Sequence, residues 1–129
     1  MEEAKALYRH RQLDVWKCAM NLAVKVHKAI RDFPPEERFA LYSQISRTSV
    51  AVPSNIAEGA SRRSVRDFAH FLGIARGALA ELDTQLELAD AFGFLDYSPE
   101  WKEEVASLAR RLNALVRSLT SQPTNQPIS

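Results

Sequence analysis

The residues of this chain best suited to chemistry are its arginines. Arg62 and Arg63 are adjacent, Arg66 follows three positions later, and Arg111 and Arg117 lie near the far end. A guanidinium presents several N–H donors in a flat fork that matches phosphate oxygens, so a cluster of them is equipment for a phosphate backbone. A solvated face is the plainer reading, and helix electrostatics separates the two. A helix dipole favours acids at the start and bases at the end. The segment opened by Arg62, Arg63 and Arg66 has the reverse order, with Asp83, Glu87 and Asp90 in its second half. The last segment has the favourable order, with Glu100, Glu103 and Glu104 first and Arg110, Arg111 and Arg117 later. Dipole compensation therefore accounts for the second arrangement and not for the first. Lys17, Lys25 and Lys28 share a polar helix face and can extend the basic surface.

Two further constellations point to contacts rather than to catalysis. Gln44, Arg47, Asn55 and Glu58 surround Pro53, and Arg47, Ser54 and Glu58 are spaced to share a face. They suit a polar network tying helices or subunits together, or a ligand or RNA contact through Arg47. Gly73 and Gly77 are four apart inside a helical stretch, where each glycine costs roughly 1 kcal/mol against alanine. A second backbone packed against that strip, most simply from a neighbouring subunit, would offset the cost.

Metal and nucleophile chemistry find little support. A di-iron bundle needs two Glu-x-x-His motifs plus two further inward carboxylates. The nearest match is Asp67-Phe68-Ala69-His70, once, and the acids of that segment are expected on its outer face. The single Cys18 excludes a disulfide within one chain and a cysteine-based zinc site. There is no Gly-rich phosphate loop. His27 reads as a surface residue, His70 as a partner of Asp67 or Arg66, and His10 as part of an unstructured arm. No metal and no cofactor are expected.

These residues must be positioned by helices. Of the four Gly and six Pro, those at Pro34-Pro35, Gly59, Gly93, Pro99, Pro123 and Pro127 punctuate the chain. No segment sustains period-two alternation. A first helix is predicted from Asp14, as N-cap, to Asp32, with Val15, Ala19, Leu22, Val26, Ile30 and Phe33 as its apolar stripe. A second runs from Phe39 to Glu58 on Leu41, Ile45, Thr48, Val52 and Ile56, kinked at Pro53 and terminated by a left-handed Gly59. A third is capped by Ser64, with Asp67 three positions on, and stopped by Gly93. Its Phe68, Leu72, Ala75, Leu79, Leu82, Leu86 and Ala89 keep a strict heptad, which implies shallow left-handed packing. The fourth starts at Ser98-Pro99 and carries Trp101, Val105, Leu108, Leu112, Leu115 and Leu119. Four such helices with short connections make an all-α, up-and-down antiparallel four-helix bundle.

Composition sets the outer limits. The chain has 129 residues, 46% hydrophobic and 26% charged, which suits one globular domain. We expect an N-terminal arm over residues 1–12, the bundle over 13–121 and a disordered polar tail over 122–129. The formal net charge of +1 excludes a uniformly basic nucleic-acid binder. That total is a cancellation: residues 1–80 carry +5, residues 81–104 carry −7 and residues 105–129 carry +3. No stretch approaches the roughly 18 apolar residues of a membrane span, and the start is not that of a signal peptide. With one cysteine, a cytoplasmic location is expected.

The run Val52-Pro53-Ser54-Asn55-Ile56-Ala57-Glu58-Gly59 resembles the 23S rRNA intervening-sequence protein family, also called the four-helix bundle protein family. Leu13-Asp14-Val15-Trp16, Phe33-Pro34, Gln44-Ile45-Ser46-Arg47 and the stretch Phe68 to Ala89 support the resemblance, which spans about residues 13–120. It implies a homopentameric ring of bundles, in a family often encoded within insertions in 23S rRNA genes. The chain is also similar to the accessory protein of diversity-generating retroelements, a basic pentameric barrel that binds RNA and a reverse transcriptase. The family's usual pair of arginines is Ser46-Arg47 here, which removes one cation. The expectation is a non-enzymatic, RNA-associated accessory or scaffold protein, with RNA or a nucleic-acid enzyme as partner and no membrane. A structural homo-oligomer acting through a protein partner is the alternative. A remote one is an all-helical ribonuclease of the HEPN type, because Arg63 and His70 are seven apart and Arg66 and His70 four apart.

Overall fold

A computed structural model describes residues 9–121. Four long helices follow in order: α1 (Asp14–Ile30), α2 (Leu41–Ala60), α3 (Val65–Ala91) and α4 (Pro99–Thr120). Short 3-10 turns precede α1 at Arg9–Gln12 and α2 at Pro35–Glu37. There is no strand among the described residues. Each helix contacts the two beside it, in the cycle α1–α2–α3–α4–α1, and the α2–α3 contact is the most extensive. With short connections between consecutive neighbours, this is the up-and-down four-helix bundle. No helix among the described residues is long and apolar enough to cross a membrane.

The apolar stripes are the core. All seven heptad residues of α3, from Phe68 to Ala89, are buried, as are Val15, Ala19, Leu22, Val26 and Ile30 of α1. Leu41, Ile45, Val52 and Ile56 of α2 and Trp101, Val105, Leu108 and Leu112 of α4 meet them. Burying each such aliphatic side chain contributes about 1.5–3 kcal/mol. In α4 the stripe weakens downward: Leu115 and Leu119 are only partly covered.

The helix starts follow the sequence closely at two places. Ser64 Oγ accepts from the Asp67 N–H at 3.1 Å, and Ser98 Oγ accepts from the Trp101 N–H at 3.2 Å. Gly93, with φ +82°, ends α3 as expected. At α1 the expectation fails. Leu13 occupies the N-cap position and makes no side-chain cap bond, Asp14 is the first helical residue, and the helix stops at Ile30 rather than Asp32.

Gly59 is the larger correction. It does not terminate α2, which runs on to Ala60, and it is buried. A Cβ at this position would stand 2.8 Å from Cβ of Phe71 and 3.2 Å from the carbonyl oxygen of Phe68. At Gly59, α2 and α3 therefore approach too closely for a side chain, and the missing one admits α3. The helix is also continuous through Pro53, which is buried.

The 3-10 turn at Arg9–Gln12 replaces an unstructured arm at its last four residues. The Arg9 guanidinium donates to the carbonyls of Ala60 and Arg62, thereby satisfying the open C-terminal end of α2. His10 lies edge-on to Trp16 at 5.0 Å. Residues 1–8 and the expected tail at 122–129 lie outside the described residues.

Candidate functional site

Helix direction and cross-helix pairs set the height of each charge along the bundle. Cys18 meets Arg111, Arg76 meets Asn113, Lys25 meets Glu104 and Glu87 meets Lys102. Position 18 of α1 thus stands level with position 78 of α3, and position 25 with position 85. α1 has 17 residues against 27 in α3, so it flanks only the upper two-thirds of that helix.

This geometry divides the expected basic face. Arg62, Arg63, Arg66 and Arg117 gather at the end where α2 finishes, α3 begins and α4 finishes, and Arg9 joins them there. Arg111 and Lys17 lie halfway up the bundle. Lys25 and Lys28 lie towards the opposite, acidic end. Arg47, in the first half of α2, also stands towards that end and away from the other arginines.

The gathered arginines are not equivalent. Arg62 is occupied: it pairs with Glu58 at 3.1 Å, and its guanidinium lies 4.7 Å from the centre of the Phe71 ring. Arg9 is spent on the end of α2. Arg63, Arg66 and Arg117 are exposed and have no partner among the described residues. Arg66 stands in the first turn of α3, where the helix dipole adds positive potential. Arg111 is exposed and reaches only the Cys18 sulfur, at 3.6 Å.

The acidic end is built differently. Asp83 accepts from the hydroxyl of buried Tyr97 at 2.7 Å, and Asp90 accepts from the Tyr97 N–H at 2.9 Å. Burial first, then Asp83, pushes the Tyr97 hydroxyl well above its usual range. Glu87 pairs with Lys102 and Glu104 with Lys25, at 3.1 and 2.9 Å, and Glu103 pairs with Arg110. The acids of α3 are thus not merely an outer face: Asp83 and Asp90 hold the α3–α4 connection in place. Tyr97 carried no helical periodicity to single it out.

Among the described residues the group around Pro53 makes only short-range bonds. Arg47 donates to Ser43 at 2.8 Å, Asn55 donates to the carbonyl of Ala51 at 2.8 Å, and Glu58 pairs with Arg62. The Gln44 carbonyl accepts from the Thr48 hydroxyl at 2.8 Å. Each bond stays within α2 or the turn that follows it. Gly73 and Gly77 face outward, and a Cβ at either would meet nothing within 4 Å.

The histidines differ from expectation. His27 is partly buried and joins two helices, with Nδ1 3.0 Å from the Ala23 carbonyl and Nε2 3.0 Å from Ser46 Oγ. Ser46 therefore serves the α1–α2 contact. His70 lies edge-on to Phe71 at 5.4 Å and bonds neither Asp67 nor Arg66. Burial, then Arg11, lowers the His10 pKa. No cluster of metal-ligating side chains occurs among the described residues.

Comparisons with known proteins agree with this fold. A crystal structure of a protein of unknown function from the S23 ribosomal protein family of Bacteroides thetaiotaomicron is similar, at a TM-score of 0.65 and 24% identity. The match covers 84% of this chain and 96% of that one. No curated protein matches. The sequence pattern of the 23S rRNA-intervening sequence proteins matches residues 11–121. On that match, the chain belongs to the 23S rRNA-intervening sequence protein family.

Proposed function

We propose that this protein is a non-enzymatic accessory or scaffold protein that binds RNA phosphates through the arginine end of its bundle, as an oligomeric ring. One observation carries the reading. Arg63, Arg66 and Arg117 stand exposed at one end with no partner among the described residues, while neighbouring Arg9 and Arg62 are committed to the fold. Arg63 and Arg66 crowd the positive end of α3 and weaken that helix, so a phosphate partner gives their placement a purpose, while Arg117 stands at the favourable C-terminal end of α4. A ring would repeat the cluster on one face and add the fields of its copies. The family name supports an RNA context and specifies no ligand.

Binding, rather than turnover, fits the histidines. His27 Nε2 meets the Ser46 hydroxyl, but its Nδ1 faces the Ala23 carbonyl rather than a carboxylate, and His10 and His70 lie edge-on to aromatic rings. Titration of a labelled RNA hairpin over about 50–200 mM salt tests the reading. Affinity should fall steeply with salt, and replacing Arg63, Arg66 and Arg117 by Ala should flatten the slope by roughly one per lost phosphate contact. A flat response in the wild type, or an unchanged slope in the variant, overturns it. Co-purification of a protein and no RNA would favour the structural alternative.

A further inference from the structure

One face of the bundle has no cover among the described residues. An open groove of about 510 Å³ runs between α1 and α2, and Trp16, Met20, Val24, Val50, Pro53 and Ala57 line it. Met20, Val50 and Val24 are 40%, 48% and 51% exposed. Contiguous apolar surface of this kind marks an interaction site. Its charge is one-sided. Lys28 and Arg31 complete the lining at one end, and no carboxylate among the described residues lines it. Neither cation has an ion-pair partner among the described residues. A fitting occupant is therefore apolar along most of its length and acidic where it meets Lys28 and Arg31.

The chain itself supplies such a segment. Its described part begins at the other end of the groove. There His10 lies edge-on to Trp16 at 5.0 Å, the Arg11 guanidinium stands 5.6 Å from the centre of the same ring, and Arg9 is tied to the carbonyl of Ala60. Ahead of Arg9 comes Met1-Glu2-Glu3-Ala4-Lys5-Ala6-Leu7-Tyr8. Alternate residues of an extended chain share a face, so Tyr8, Ala6, Ala4 and Glu2 would fall on one side and Lys5 on the other. The reach also fits. His27 and Ser46 meet at 3.0 Å, which sets Lys28 near the height of Ser46. From Ala60 to Ser46 along α2 is about 21 Å at the helical rise. From Arg9 to Glu2 an extended chain spans about 23–25 Å, and a helix only about 10 Å. The segment 122–129 fits less well: it contains no Asp or Glu, and it follows α4, which packs on α1 and α3 and not on α2.

We infer that residues 1–8 occupy the α1–α2 groove of their own chain as an extended strap, with Tyr8 beside Trp16 and with Glu2 and Glu3 at Lys28 and Arg31. The strap covers Met20, Val24 and Val50 and keeps other apolar ligands out, so release of the strap opens the groove. Nothing in this depends on the arginine end or on RNA. A carbodiimide, which joins a carboxylate to an adjacent amine without a spacer, should link Glu2 or Glu3 to Lys28. The linked peptide should come from chains that run at monomer mass under denaturing conditions. A Glu2→Lys, Glu3→Lys variant should bind the neutral apolar dye Nile red about fivefold more tightly than wild type, as the loss of two exposed ion pairs allows. Adding Lys28→Glu and Arg31→Glu should restore the wild-type affinity. Lys28 and Arg31 are exposed, and Glu2 and Glu3 precede the bundle, so melting should stay near wild type in every variant. Absence of the link overturns the inference, as does a link found only at dimer mass, which would put the arm in the groove of a second copy. Dye affinity unchanged by reversing the arm, or not restored by reversing the rim, overturns it too.

Discussion

The two ends of the bundle use charge in opposite ways. At the acidic end nearly every carboxylate of α3 has a bond: Asp83 and Asp90 hold Tyr97, and Glu87 holds Lys102. The charges there close a loop and cover the top of the core. At the basic end Arg9 and Arg62 do similar work, but Arg63, Arg66 and Arg117 make no bond within the described residues. Charges that serve structure have partners in the chain, and charges without partners are available to something outside it. Exposed ion pairs contribute only about 0–1 kcal/mol, so the structural weight of the acidic end rests on Tyr97 rather than on its surface pairs.

The comparison breaks first if Tyr97 proves dispensable. Tyr97→Ala should cost about 3–5 kcal/mol, the range for deleting a buried aromatic ring, and Asp83→Ala about 1–3 kcal/mol by orphaning the Tyr97 hydroxyl. Thermal melting checks both. A smaller effect is expected at Gly59→Ala. Overpacking against Phe68 and Phe71 costs about 1–3 kcal/mol, against a gain of roughly 1 kcal/mol in helix propensity, so chemical denaturation should show net destabilisation. Smaller still, Arg63→Ala, Arg66→Ala and Arg117→Ala should each change stability by no more than about 0.5 kcal/mol. Removing positive charge from the start of α3 should favour folding if anything. A large loss of melting temperature in these variants would make the basic end structural too, and erase the contrast.

The mildest effect concerns His10. Its pKa is depressed in the folded chain, chiefly by burial, so the unfolded chain binds the proton more readily. The contribution of neutral His10 is therefore lost as the pH falls below the ordinary value of 6.5. Fluorescence of Trp16, its edge-on neighbour, should change on acidification from pH 7.5 to pH 5 in the wild type more than in His10→Ala.

Periodicity made most of the fold legible. The heptad of α3 and the Ser64 and Ser98 caps depend on residues within one or two turns, and local spacing records them. Gly59 was not legible, because a glycine that ends a helix and a glycine that admits a neighbouring helix look alike. Only Phe68 and Phe71, brought in from α3, tell them apart. The role of Asp83 and Asp90 depends likewise on a connection that returns Tyr97 to the helix it has just left. His27 sits at the boundary between polar and apolar faces, and the approach of Ser46 from α2 decides its place.

The arginine end was partly legible. The reversed order of charge along α3 draws attention to Arg62, Arg63 and Arg66, which stand around the start of that helix. Helical spacing reports which face a residue occupies, but not its height in the bundle. Height depends on how far the shorter α1 extends beside α3, and this sends Lys25 and Lys28 to the other end and leaves Lys17 and Arg111 midway. Arg9 carried no signal, since its partners are carbonyls about fifty positions away.

The most direct measurement is the salt dependence of RNA binding by the wild type and by the Arg63→Ala, Arg66→Ala, Arg117→Ala triple variant, at matched folded concentration. The account predicts a steep wild-type dependence and a slope lowered by roughly three per bound protomer in the variant, with melting preserved. Equal slopes in the two proteins, or a wild type insensitive to salt, would contradict it.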